Sequence, residues 1–274
     1  MALATLNFES QYLNGTTTVS IILPNKPRDV MPDAFYGSGN KYPVLWLLHG
    51  TYGDHSDWVR KSMVEIYARE HDLIVVMPSA LNSDYANWDR CMMGYAMFDY
   101  LIEELMPLVY NWLPASDRRE DNFIAGLSMG GSGTLKYALA HPGKFAAAAA
   151  LSPAVRNYER ILASSEATED KRMVNCLRNH GGKESFLDSK ENIWRMLGEM
   201  VDRADLPRIY CACGTEDDLY TWFREFRSYA QEIGADITFE EIEGYGHEWR
   251  FWDLTIQKAL TFFGFEGEAS GDSF

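Results

Sequence analysis

Two hydrophobic rhythms alternate along this chain. Within the first 23 residues, polar and apolar positions alternate singly, and "TTTVSIIL" (16–23) predicts a strand with one buried face. Further on come unbroken apolar runs: "YPVLWLLHG", "LIVVMPS", "NFIAG", "FAAAAALS" and "RIYCACG". Such runs suit strands covered on both faces of a mostly parallel sheet. Between them the apolar spacing changes to three and four residues. Helices are predicted near 59–70, over "MFDYLIEELMPLVYNWL", after Ser128, over "WFREFRSYAQEIG", and from about Glu248 to Phe263. Pro107 inside the second of these predicts a kink or a division. "ITFEEIEG" reads as one more strand. Strands alternating with helices predict an α/β protein with helices on both faces of its central sheet.

Three stretches depart from this rhythm. Residues 26–41 are rich in Pro, Gly and Asp and read as a connection. Residues 154–205 are highly charged, with helical patches such as "KENIWRMLGEMV" and no strand. They predict a helical insertion capping the site; a solvated excursion without a role is the alternative. The tail 266–274, "EGEASGDSF", has too few apolar residues to order itself and is expected to be flexible. The whole of 1–274 reads as one domain.

Composition narrows the classes. A chain of 274 residues, 46% hydrophobic, should bury about three quarters of its unfolded surface and hold a cleft without disulfide staples. A net charge of −15 excludes the basic surface that nucleic acid requires. No apolar run reaches the roughly 18 residues of a membrane span. The opening residues lack the basic start and apolar core of a signal peptide, which points to the cytoplasm, a cleaved leader being the alternative. Cys91, Cys176, Cys211 and Cys213 form no CxxC pair, and the last two read as buried thiols. No metal and no cofactor is expected. Self-association into a homo-oligomer is left open.

The chemistry concentrates around "DNFIAGLSMGGSGTLKYALAHP". Gly126-Leu127-Ser128-Met129-Gly130 is a G-x-S-x-G pattern between a strand and a helix, where a strained turn would lift the Ser128 hydroxyl above the sheet. A serine is a poor nucleophile without a base, itself oriented by a third group. In the strand–turn–helix hydrolases the acid and then the histidine follow the serine. "CGTEDDLY" supplies the acid, with Asp217 preferred over Glu216 and Asp218, and "EGYGHEWRFWD" supplies His247. His71, His141 and His180 lack such a setting, and His141 reads as a helix C-cap. An oxyanion needs two donors: the Met129 N–H, next to the nucleophile, and the Thr51 N–H in "LLHGTYG". His49, with His55 nearby, reads as a brace for that loop rather than a metal ligand. Tyr52, Trp58, Trp88 and Trp249 are expected to line an acyl or sugar pocket, whereas Tyr95 and Trp252 are equally explained as packing.

"LLHGTYGDHSDW", "GLSMGG", "CGTEDDLY" and "GHEWRFW" together resemble the esterase D-like family of α/β-hydrolases: S-formylglutathione hydrolases, tributyrin esterases and family 1 carbohydrate esterases. The resemblance implies a Ser128–Asp217–His247 triad with oxyanion donors at Thr51 and Met129. It also implies a serine esterase for short-chain or hydroxycinnamoyl (acetyl, feruloyl) esters, free or carbohydrate-linked. An S-formylglutathione thioesterase is the alternative, and a non-catalytic binding protein on the same fold is a further one.

Overall fold

The computed structural model describes residues 2–164 and 170–265; the tail expected at 266–274 lies outside the described residues. The alternating start forms an antiparallel hairpin of β1 (Ala2–Ser10) and β2 (Gly15–Leu23). The 26–41 connection holds one short helix, α1 (Pro32–Tyr36). The unbroken apolar runs become β3 (Val44–Leu48), β4 (Ile74–Pro78), β7 (Asn122–Leu127), β8 (Ala147–Leu151) and β9 (Arg208–Gly214). A small hairpin, β5 (Asn87–Trp88) with β6 (Tyr95–Ala96), stands apart from the main sheet, and β10 (Ile237–Ile242) closes it.

The main sheet has eight strands in the order β1-β2-β4-β3-β7-β8-β9-β10. The β1–β2 and β2–β4 pairs are antiparallel; every pair from β4–β3 to β9–β10 is parallel. Alternate side chains divide the interior. Trp46, Val76, Ile124, Ala148 and Cys211 face one apolar cluster, and Leu45, Val75, Phe123, Ala149 and Tyr210 face the other. Burial on both faces is the physical meaning of the missing polar alternation.

Helices cover both clusters. The pattern at 59–70 resolves into α2 (Asp57–Lys61) and α3 (Val64–Glu70), broken where Ser62 is extended and Asp253 accepts the Met63 N–H. At Pro107, where a kink or a division is expected, the helix changes type rather than stopping. Helical structure runs through α4 (Met97–Asp99), a π-type stretch at Tyr100–Leu105 and α5 (Met106–Trp112). In the wider turn the Met106 N–H reaches back to the Leu101 carbonyl, so proline's missing donor is absorbed without a sharp stop. After β7 comes α6 (Met129–Ala140), capped at His141, whose N–H bonds the Tyr137 carbonyl.

Between β8 and β9, residues 154–205 form α7 (Tyr158–Ala163), α8 (Lys171–His180), α9 (Lys183–Leu187) and α10 (Ile193–Met200), with no strand among the described residues. Helix α11 (Tyr220–Glu232) packs Phe223 and Phe226 into the first cluster; α12 (Trp249–Phe263) packs Phe251, Ile256 and Leu260 into the second. Among the described residues, no helix is long and apolar enough to cross a membrane.

Candidate active site

The parallel strands end together on one edge, and the loops leaving β3, β7, β9 and β10 meet there. Ser128 stands between the last residue of β7 and the first of α6, with φ +55° and ψ −115°. A side chain is costly in that conformation, and it persists because the surroundings hold it. The glycines explain how. A Cβ on Gly130 would lie 2.6 Å from the Leu48 and His49 carbonyl oxygens, and one on Gly126 would lie 2.5 Å from the Gly130 carbonyl. Strand, turn and neighbouring loop touch backbone to backbone, leaving no room for a methyl group.

Three side chains stand in series at this corner. The His247 Nε2 lies 2.9 Å from Ser128 Oγ, and its Nδ1 lies 2.8 Å from Asp217 Oδ2. A hydrogen on Nδ1 donates to the carboxylate and leaves the Nε2 lone pair to accept the serine hydroxyl. Asp217 sits in the turn after β9, where its N–H bonds the Gly214 carbonyl and its Oδ1 accepts the Leu219 N–H at 2.8 Å. Burial pushes the Asp217 carboxyl up. The hydrogen bonds from His247, the Leu219 N–H and Ser152 outweigh it and hold the group below its ordinary value. The carboxylate therefore stays charged beside the imidazole.

Ser152 was not anticipated by sequence reasoning. It follows β8, is fully buried, and adopts φ +44°. Its Oγ accepts the Trp252 indole N–H at 3.1 Å, which leaves its own hydrogen for Asp217. The Trp252 ring meets the His247 ring edge-on at 4.9 Å. Trp252 thus braces the imidazole and the acid's partner at once. The available signal was a lone polar residue closing an all-alanine and leucine strand.

The loop after β3 is braced from behind. His49 donates from Nδ1 to the Gly50 carbonyl at 2.7 Å, and its Nε2 accepts the Ala80 N–H at 2.9 Å. Burial lowers its pKa, keeping it neutral for that double role. The Gly53 N–H also bonds the Gly50 carbonyl. Because a trans peptide points its C=O and N–H in opposite directions, the Thr51 N–H is turned away from these bonds. Neither the Thr51 nor the Met129 N–H meets an acceptor among the described residues. Gly50 packs onto Ser128 closely enough that a Cβ there would lie 3.4 Å from the serine Cβ.

A cleft of about 330 Å³ opens at the serine, lined by Thr51, Asp57, Lys61, His247, Trp249 and Trp252 among others. Tyr52 stands on its rim, 92% exposed, held at φ +64° with its N–H on Asn82 Oδ1. Trp58 is corrected: it is 1% exposed, its indole N–H bonds the Leu48 carbonyl, and it supports Trp249 from below at 5.3 Å. Trp88 lines a neighbouring pocket, and its indole N–H is held by the Ser83 carbonyl. Cys211 and Cys213 are buried free thiols, as expected. Among the described residues, no group of three or more His, Cys, Asp or Glu side chains is arranged to hold a metal.

A parallel sheet delivering a hydrogen-bonded serine, histidine and aspartate at one edge defines a serine hydrolase of the α/β-hydrolase fold. The chain belongs to the Esterase family, described as "Putative esterase", which matches residues 10–263, and is a carboxylic ester hydrolase. It is 29% identical over 262 residues to an acetyl esterase of Caldicellulosiruptor saccharolyticus, covering 95% of this chain and 97% of that protein. The substrate-bound fluorophosphonate-binding serine hydrolase F of Staphylococcus aureus superposes with a TM-score of 0.80 at 29% identity, covering 97% of this chain and 99% of that one. An S-formylglutathione hydrolase of the same organism gives 0.75 at 28% identity, covering 96% and 98%.

Proposed function

We propose that the protein is a serine carboxylesterase that works through an acyl-enzyme, with Ser128 as nucleophile, His247 as general base and acid, and Asp217 as its orienting carboxylate. The Ser128–His247–Asp217 hydrogen-bond series carries this reading. His247 removes the Ser128 proton as Oγ attacks the ester carbonyl. The Thr51 and Met129 N–H groups receive the oxyanion. His247 returns the proton to the departing alcohol, and water, activated by the same imidazole, releases the acid and restores the serine.

The acyl groups named in the acetyl esterase and S-formylglutathione hydrolase relatives are short, which supports a short-chain ester, free or carbohydrate-linked, as substrate. A hydroxycinnamoyl group is the larger alternative. The anionic thioester is disfavoured: Lys61, the lysine on the cleft, is committed to Asp57 at 3.0 Å. Helices α7–α10 are read as the cap, because α8 contributes Arg172 and Asn175 to the pocket next to the serine cleft.

A fluorophosphonate probe should label the wild type and fail on Ser128→Ala, with acetyl, butyryl and feruloyl esters then compared by kcat/KM. Labelling of the alanine variant would remove Ser128 from the mechanism. A flat acyl profile would remove the aromatic acyl pocket.

A further inference from the structure

Beside the serine cleft lies a second pocket of about 430 Å³, lined by Thr51, Tyr52, Asn82, Trp88, Cys91, Met92, Arg172 and Asn175. The two cavities share Thr51 and Tyr52, so both border the loop that presents the Thr51 N–H. They differ in what else they hold. The serine cleft contains His247, which must hand its proton to the leaving oxygen, so the alcohol belongs on that side. The acyl substituent, on the other bond of the same carbonyl carbon, points away from the imidazole. The second pocket borders the loop that presents the Thr51 N–H and does not border His247.

Its walls are of two kinds. Tyr52, Trp88, Cys91 and Met92 give apolar and sulfur surface. The remaining wall is made of donors. Arg172 holds Asp84 side-on, with Nε to Oδ2 at 2.9 Å and Nη2 to Oδ1, which leaves the Nη1 hydrogens unused by that pair. Asn175 lies one turn along α8, and its side chain makes no hydrogen bond among the described residues. Asn82 spends its carbonyl on the Tyr52 N–H, leaving its amide hydrogens. The guanidinium is already neutralised by Asp84, and the chain as a whole carries −15. A second carboxylate gains little there, whereas a neutral oxygen can take the spare donors.

We propose that this pocket is the acyl subsite, and that Arg172 and Asn175 are specificity-determining residues selecting acyl groups with an apolar body and a neutral oxygen acceptor at the far end. The proposal rests on the nucleophile reading above. An acetyl or formyl group would leave a pocket of about 430 Å³ largely unfilled, so within the short-chain range the pocket favours the longer acyl groups.

The test compares 4-nitrophenyl esters of hexanoate, 5-oxohexanoate and monoglutarate (4-carboxybutanoate). These acyl groups have similar lengths and end in a plain, a neutral-acceptor and a charged form. Wild-type kcat/KM should favour the oxo ester over hexanoate by about tenfold, the value of roughly one hydrogen bond to a charged donor, with glutarate below the oxo ester. In Asn175→Leu and Arg172→Met the ratio should fall toward one. Taking the ratio within each variant cancels any general loss of activity. Asn175, whose side chain makes no hydrogen bond among the described residues, keeps the test open if Arg172→Met fails to fold. An oxo-to-hexanoate ratio of one in wild type, its survival in both variants, or a preference for glutarate overturns the proposal. Failure of the nucleophile reading looks different: turnover of 4-nitrophenyl acetate would survive Ser128→Ala.

Discussion

Strands β7 and β8, and the helices α7–α10 that leave the sheet after them, are held in place by a different balance of packing and polar bonds. Every residue of β7 and of β8 is buried, and their side chains divide between two continuous apolar clusters. The excursion keeps a small cluster of its own, around Met173 and Phe186, while α10 adds Ile193, Met196 and Leu197 to the main core. Val155 joins that core as well, and Trp194 packs on Phe226 and Tyr229. Polar contacts add to this. Arg172 pairs with Asp84, Lys136 of α6 bonds Glu191 at 2.8 Å, and the Asn179 amide joins Asn87 and the Arg90 N–H. Area-based packing resists displacement in every direction, so the buried strands hold the end that carries Ser128 in place. The parallel core sets the strand end that carries Ser128, and the excursion contributes Arg172 and Asn175 to the neighbouring pocket.

The comparison breaks most sharply at the serine. Ser128→Ala should lower kcat for a 4-nitrophenyl ester by about a thousandfold or more while the far-ultraviolet circular dichroism is unchanged; retained turnover would move the chemistry elsewhere. Next comes the excursion's buried anchor. Lys136 is 2% exposed, and Lys136→Ala leaves Glu191 and the Asp84 carbonyl without their cation, costing about 3 kcal/mol in chemical denaturation. Limited proteolysis should then cut first within 154–205; cleavage starting in β7 or β8 would show that the two regions unfold as one.

Gly130→Ala pushes a methyl group into the Leu48 and His49 carbonyls and should cost about 2 kcal/mol with a parallel loss of kcat. Ser152→Ala removes a donor to Asp217 and orphans the Trp252 N–H. We expect kcat to fall about tenfold with KM little changed, and stability to drop by about 1 kcal/mol. An unchanged kcat would reduce Ser152 to packing.

The smallest effect is acid dependence. Asp217 is held below its ordinary value of 3.8, so its contribution to stability is fully present above that pH and is lost as the pH falls through the lower folded value. Melting curves of wild type and Asp217→Asn should converge below about pH 4; a constant gap down to pH 3 would exclude Asp217 as the titrating group.

The relay residues were legible because each rule behind them is local. A serine between glycines at a strand–helix turn, an acid just past the later strand β9 and a histidine in the glycine-rich loop after β10 can each be read within a few neighbours. His49 was legible as a brace for the same reason. Trp58 was not, since residue type and position near the site say nothing about which way a ring points; the Leu48 carbonyl beneath it decided that. Ser152 was invisible because its partners lie 65 and 100 residues onward, at Asp217 and Trp252. The π-type turn before Pro107 was missed because the local cost of a missing donor is met by a different hydrogen-bond register.

Sequence alone determined the order of strands and helices, the double burial of the central strands and the identity of the three groups able to form a proton relay. These follow from side-chain periodicity and backbone sterics, which act over a few residues. The tertiary structure decided which rings face the cleft, which hydroxyl steadies the acid, how the 154–205 helices anchor and where a second pocket opens. Those outcomes depend on surfaces brought together from distant parts of the chain, where packing in three dimensions selects among options that local rules leave equal.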